Sequence, residues 1–179
     1  TYETGYSRVR KWCEKYPQIA SKHLDSDGVH PKHTFFYPVE EYTFEYLRML
    51  ADLCKKGIGE VEIHLHHEDD TESNFLQTVI NFKKILRNTF GLLPTEKNND
   101  DINFGFIHGN WALDNSRNDG KKCGLNNELY LLLQAGCYAD FTMPSAPDET
   151  QTRIINTIYE AVDDPSKPKS HNSGIRVKK

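Results

Sequence analysis

The sequence predicts an α/β fold with mainly parallel strands, laid out as an open doubly wound sheet or as a barrel. Three observations carry this. Short runs rich in β-branched and aromatic residues alternate with segments whose apolar residues recur at helical spacing. At least three strand–helix units follow one another, without an internal repeat or a low-complexity linker. The chain has 179 residues, enough for a single domain with a real core, and 1–179 is read as one domain.

Each element has its own signal. HTFFY (33–37) is an aromatic and β-branched run closed by Pro38. Phe44, Leu47, Leu50, Ala51 and Cys54 then mark one face of a helix that Lys55, Lys56 and Gly57 end. The strand EVEIHLH follows. Phe75, Leu76, Val79, Phe82 and Leu86 define a second helix, closed by Gly91 and Pro94. A polar loop over 96–101 leads to a strand over 102–109. Asn118, Gly120 and Gly124 mark a further loop, and Asn126 or Asn127 can cap a short helix ending at Gly136. A strand over 137–143, a Pro-rich turn and a last helix over 150–161 complete the reading. The tail from Asp163 is rich in Pro, Lys and Ser and is expected on the surface.

Composition removes several function classes. The net charge is −4 and no large basic patch exists, so nucleic acid is not an expected partner. The basic run 176–179 reads as a solvated chain end. Hydrophobic residues make up only 37%, which implies a modest core, while aromatics reach 11%, enough to place several at edges or in a cleft. Cys13, Cys54, Cys123 and Cys137 form no CxxC pair, so free thiols are expected rather than a cysteine zinc knuckle. No window suits a membrane span and no signal peptide is visible. A soluble, cytoplasmic protein is favoured, although the threonine start reads as a fragment or a processed form. Neither GxGxxG nor a Walker loop occurs, so nucleotide binding has no support.

The stretch EVEIHLHHEDDT (60–71) raises the chemical question. Read as a strand, it points Val61, Ile63 and Leu65 one way and Glu62, His64 and His66 the other. A polar face rising to two histidines at a strand's C-terminal end suits the mouth of a barrel. Histidines two apart on a strand, with a carboxylate from elsewhere, make a ligand set for zinc or another divalent ion. Asp69 with Glu72 has the spacing of a helix cap, and His67 and Glu68 read as solvated loop residues. HLDSDGVHPKH (23–33) holds an Asp-x-Asp pair in a tight turn, able to supply a metal ligand and a general base, or simply to form an Asp–Gly turn. In FIHGNWALDNS (106–116), His108 ends a strand beside Asn110 and Trp111, a combination suited to a sugar-binding rim or to packing over the strand ends. Asp140 and Thr142 share a strand face and point inward in this reading, whereas His171 lies in the polar tail and reads as solvated.

These residues resemble those of the NodB-type polysaccharide deacetylases and related glycoside hydrolase/deacetylase barrels. DSDG before HTFFYP resembles the family's Asp–Asp–Gly turn and TFF strand, and Glu62, Ile63 and His66 resemble its G-x-E-I-x-x-H segment. The resemblance covers about residues 20 to 75 well and continues in outline to 142. IHGNW stands where the family has Arg-x-Pro-Tyr, and no Leu-x-His strand is evident. The resemblance implies a distorted (β/α) barrel of about seven strands, with completeness in this chain left open. It implies a divalent metal, commonly zinc. Carried over, Asp25 resembles the base and Asp27 and His66 the metal ligands. Asp70 occupies the second metal histidine's place, which His64 or His67 would have to fill. Asp25 and His108 would then be catalytic, with Asn110, Trp111 and Asp140 facing a carbohydrate. The implied activity is metal-dependent removal of acetyl groups from a carbohydrate. Two other readings stay open: an HxH-type phosphoesterase or amidohydrolase, and a carbohydrate-binding barrel that has lost catalysis. Substrate identity and oligomeric state are not legible.

Overall fold

The computed structural model describes residues 2–95 and 101–178. The polar loop read at 96–101 and the end of the basic run at 179 therefore fall largely outside the described residues. Helix α1 (Tyr2–Ala20) leads into strand β1 (His33–Pro38), helix α2 (Phe44–Lys55) and strand β2 (Gly59–Leu65). Helix α3 (Glu72–Phe90), strand β3 (Phe104–His108), helix α4 (Glu128–Ala135) and strand β4 (Cys137–Asp140) follow. Strands β1 to β4 form one sheet in sequential order, every pairing parallel. Right-handed crossovers in that order put successive helices on one side of the sheet. Tyr37, Val61, Ile63, Leu65, Phe104 and Phe106 form the strand side of the core beneath them. Glu62 and His64 take the other face, as the alternation requires, and Phe36 meets Phe141 there at 5.6 Å between ring centroids.

The helix ends follow from local chemistry. Thr71 caps α3, its hydroxyl accepting from the Asn74 N–H at 3.3 Å. The cap is thus two residues later than the Asp69–Glu72 spacing suggested. Gly91 and Gly136 close α3 and α4 in the left-handed conformation that glycine adopts without a Cβ penalty.

Three expectations are corrected. The sheet has four strands and is not closed, so the barrel of about seven strands is not present among the described residues. No helix forms over 150–161; the segment is turn and extended chain ending in strand β5 (Tyr159–Ala161), which pairs antiparallel with β6 (Gly174–Arg176). Its β-branched residues (Thr150, Thr152, Ile154, Ile155, Thr157, Ile158) disfavour helix, and Gln151 Oε1 instead accepts from the N–H groups of Ser145 and Ala146. Ile155 and Ile158 remain exposed, so no apolar helical face exists to bury. Finally, α1 occupies a region to which the sequence reading assigned no element. It packs through Trp12 and Tyr16 against His33 and Phe35.

All four cysteines are free thiols. Among the described residues no helix is long and apolar enough to cross a membrane.

Candidate metal centre at the strand ends

The C-terminal ends of β1, β2 and β3 gather the histidines into two neighbouring sets. On the rim, the exposed His66 ring pairs through Nδ1 with Glu40, from the turn after β1. His64 lies edge-on to His66, with ring centroids 4.5 Å apart, and donates from Nδ1 to the Ile107 carbonyl at 2.8 Å. Burial lowers the His64 pKa, so its ring is held neutral. Gly109 permits this crowding: a Cβ there would stand 2.2 Å from the His66 ring.

The second set lies deeper. His67, immediately after β2, and His108, the last residue of β3, meet with ring centroids 4.6 Å apart. Glu128, the first residue of α4, is fully buried beneath them. Its Oε1 lies 3.1 Å from His67 Nε2 and 3.4 Å from His108 Nε2. Its Oε2 accepts from the Asp114 N–H at 2.7 Å and from Cys123 Sγ at 3.3 Å. Cys123 arrives on a loop that passes close to the start of α3. Gly124, at φ 99°, approaches within 2.7 Å of the Asp70 nitrogen where a Cβ would sit, and the Asp70 N–H donates to the Cys123 carbonyl. One ligand atom from each of His67, His108, Cys123 and Glu128 lies within 4.8 Å of the others, so the group could hold a metal ion.

Electrostatics sharpen the arrangement. Burial opposes charge on Glu128, yet His108, His67 and the Asp114 N–H outweigh it and hold the carboxyl below its ordinary range. Burial lowers the His108 pKa, and Glu128 only partly offsets this. Burial, reinforced by Glu128, pushes the Cys123 thiol far up. Glu128 is therefore held toward its ionised form, while burial works against charge on His108 and Cys123.

The sequence-predicted residues are divided by this geometry. Asp25 and Asp27 are exposed, and Asp25 Oδ1 accepts from the Asp27 and Val29 N–H groups at 2.9 and 2.8 Å, closing the Asp–Gly turn. That turn follows a helix and precedes β1, so it enters the N-terminal edge of the sheet. The histidines sit at the C-terminal edge, roughly 20 Å away along a strand of this length. Asp25 and Asp27 are not brought to His64 and His66. His64 and His66 adjoin one another, but Asp70 turns instead to His67, with Oδ2 3.2 Å from Nδ1. His108 is central, although fully buried. Asn110 and Trp111 are exposed on the turn after β3, both at φ 55°. Asp140 accepts from the backbone N–H and the hydroxyl of Thr142, whose oxygen accepts the His108 N–H. It thereby braces the end of β3.

Sequence reasoning missed Cys123, Glu128 and the half-buried position of His67 beside them. It also placed His171 on the surface, whereas His171 is buried with Nδ1 3.3 Å from Asp114 Oδ2. No local signal marked Glu128, since an acid in the first turn of a helix is the ordinary pattern. No family model, no curated protein and no solved structure matches this chain.

Proposed function

We propose that the chain is a metal-dependent hydrolase that removes acetyl groups from a carbohydrate, working at the mouth formed by the C-terminal ends of β1, β2 and β3. The observation that carries this is the convergence there of His64, His66, His67 and His108 with Glu40 and Glu128. In parallel α/β sheets this edge is where ligands bind. The sequential parallel order of β1–β4 also suits the first part of a deacetylase-like (β/α) barrel, whose further strands would add at an open sheet edge.

The residues fitted to hold a divalent ion are His67, His108, Cys123 and Glu128. An ion bound there would supply a Lewis acid for an acyl carbonyl that can join these donors on it. The chain's own groups do the rest. Glu40 fixes the proton of His66 at Nδ1, which leaves Nε2 on the rim to accept or return a proton. His66 and Glu40 thus take the acid–base role first read at Asp25 and His108. The exposed Trp111 ring offers a stacking face for a sugar, with the Asn110 amide beside it.

The test is acetate release from acetylated amino-sugar oligomers, with and without a chelator, for the wild type and His66→Ala. Chelation should abolish release, and the substitution should lower it by roughly 10²- to 10⁴-fold. Phosphate release from phosphoesters in place of acetate would move the reading to the phosphoesterase class. A second reading is favoured by one fact, the complete burial of the His108 and Glu128 side chains. On that reading the rim binds carbohydrate without hydrolysis, and sugar binding would persist with no product.

A further inference from the structure

His108 Nδ1 lies 2.6 Å from the Gly109 carbonyl, which can only accept. Nδ1 therefore carries the proton, and in a neutral ring Nε2 presents a bare lone pair. That lone pair faces Glu128 Oε1 at 3.4 Å without forming a hydrogen bond, and the nitrogen is fully buried. His67 repeats the problem. Its Nδ1 faces the Asp70 carboxylate at 3.2 Å and its Nε2 faces Glu128 at 3.1 Å. A neutral ring sets one lone pair against a carboxylate in either tautomer, and only a proton or a metal ion on it relieves both contacts. Buried polar groups are left in this state only at substantial cost. A cation among Nε2 of both rings, Glu128 and Cys123 removes every one of these conflicts at once.

We infer that His67 Nε2, His108 Nε2, Cys123 Sγ and a Glu128 oxygen form a four-donor zinc site, with Cys123 bound as the thiolate. The other ring nitrogens face the groups that metal-bound histidines usually take: His108 Nδ1 donates to the Gly109 carbonyl, and His67 Nδ1 lies 3.2 Å from the Asp70 carboxylate without forming a hydrogen bond. Two imidazoles, a thiolate and a carboxylate on a compact centre suit zinc's tetrahedral preference and do not suit calcium or magnesium, which take oxygen. Asp70 and the Gly109 carbonyl are positioning groups that orient the rings. The ion joins the ends of β2 and β3 to the loop at Cys123 and to the start of α4. This inference is independent of the rim chemistry, because ion binding is read without any substrate.

The experiment uses the full chain stripped of metal by a chelator, then titrated with Zn²⁺ or Co²⁺. Mass spectrometry should find about one zinc per chain. The cobalt form should show intense visible bands of a tetrahedral centre and a near-ultraviolet thiolate charge-transfer band. Cys123→Ser, which changes one atom, should retain its circular dichroism yet lose the charge-transfer band and bind zinc at least about tenfold more weakly. His66→Ala, on the rim, should keep both the band and the zinc. A folded wild type that binds no stoichiometric zinc would overturn the inference. So would cobalt bound without a thiolate band, or zinc lost in His66→Ala but retained in Cys123→Ser, which would put the ion on the rim.

Discussion

Every buried apolar residue among those described lies between Ala20 and Ala135, whereas beyond Asp140 the buried residues are Thr142, Ser145, Thr150, Thr152 and His171. The sheet region is built by removing hydrocarbon from water. Ile63, Phe104 and Phe106 are completely enclosed, and α2, α3 and α4 supply the cover. The C-terminal segment is fastened by polar contacts. The Lys169 N–H donates to the Asp114 carbonyl at 2.7 Å, and the Ser170 N–H and hydroxyl donate to Asp114 Oδ2 at 2.6 and 2.7 Å. The Tyr130 N–H donates to Asp163 at 2.6 Å. Apolar packing tolerates small shifts, but a polar latch depends on single atoms. Asp114 therefore matters to residues 163–172 as an entire hydrophobic layer matters to the strands. Because the Asp114 N–H also donates to Glu128, the latch continues into the candidate metal centre.

The contrast has consequences that differ in size. Phe106→Ala removes a fully buried ring from the middle of the sheet and should destabilise the fold by about 3–5 kcal/mol, read by urea unfolding. A loss below 1 kcal/mol would mean that β3 is not the centre of the core. Asp114→Ala should cost less globally, about 1–3 kcal/mol for the buried donors it strands. Its signature is local: faster amide hydrogen exchange over residues 163–172, with the protection of β2 and β3 kept. Loss of protection in both regions together would show that the two are one cooperative unit.

The same contrast explains what the sequence disclosed. Val61, Ile63 and Leu65 against Glu62 and His64 declare a two-faced strand because burial selects residue type position by position. The spacing of Phe75, Val79, Phe82 and Leu86 declares α3 for the same reason. Beyond Asp140 no such pattern could exist, since little apolar surface is buried. The isoleucines at 154, 155 and 158 imitated a helical face, while Ile155 and Ile158 point to solvent. The site divided likewise. His64, His66 and His108 were legible as strand-end histidines. Cys123 and Glu128 reach the centre through a loop whose course depends on Gly124 and on the Asp70–Cys123 backbone bond, contacts between residues far apart in sequence. Asp25 and Asp27 were misplaced because a resemblance in residue order carried no information that α1, and not a strand, precedes the turn.

The last effect is read only as a change with pH and tests how the two regions meet, at Asp140 and Thr142. Burial in low-polarity surroundings pushes the Asp140 carboxyl up to about 7, with the Thr142 N–H and hydroxyl pulling the other way. The folded state thus holds this proton to higher pH than the unfolded chain does. Its stabilising contribution is fully present below the unfolded carboxylate range, near pH 4. It is lost as pH rises toward 7, so stability should fall across that window. Asp140→Asn keeps an acceptor for the Thr142 N–H but cannot ionise. Urea unfolding of the wild type and the variant at about pH 4, 5.5 and 7.5 should show the variant gaining on the wild type as pH rises. A difference that stays constant across the window would mean that Asp140 titrates as an ordinary surface carboxylate. The end of β3 would then be braced by Thr142 with an ionised partner.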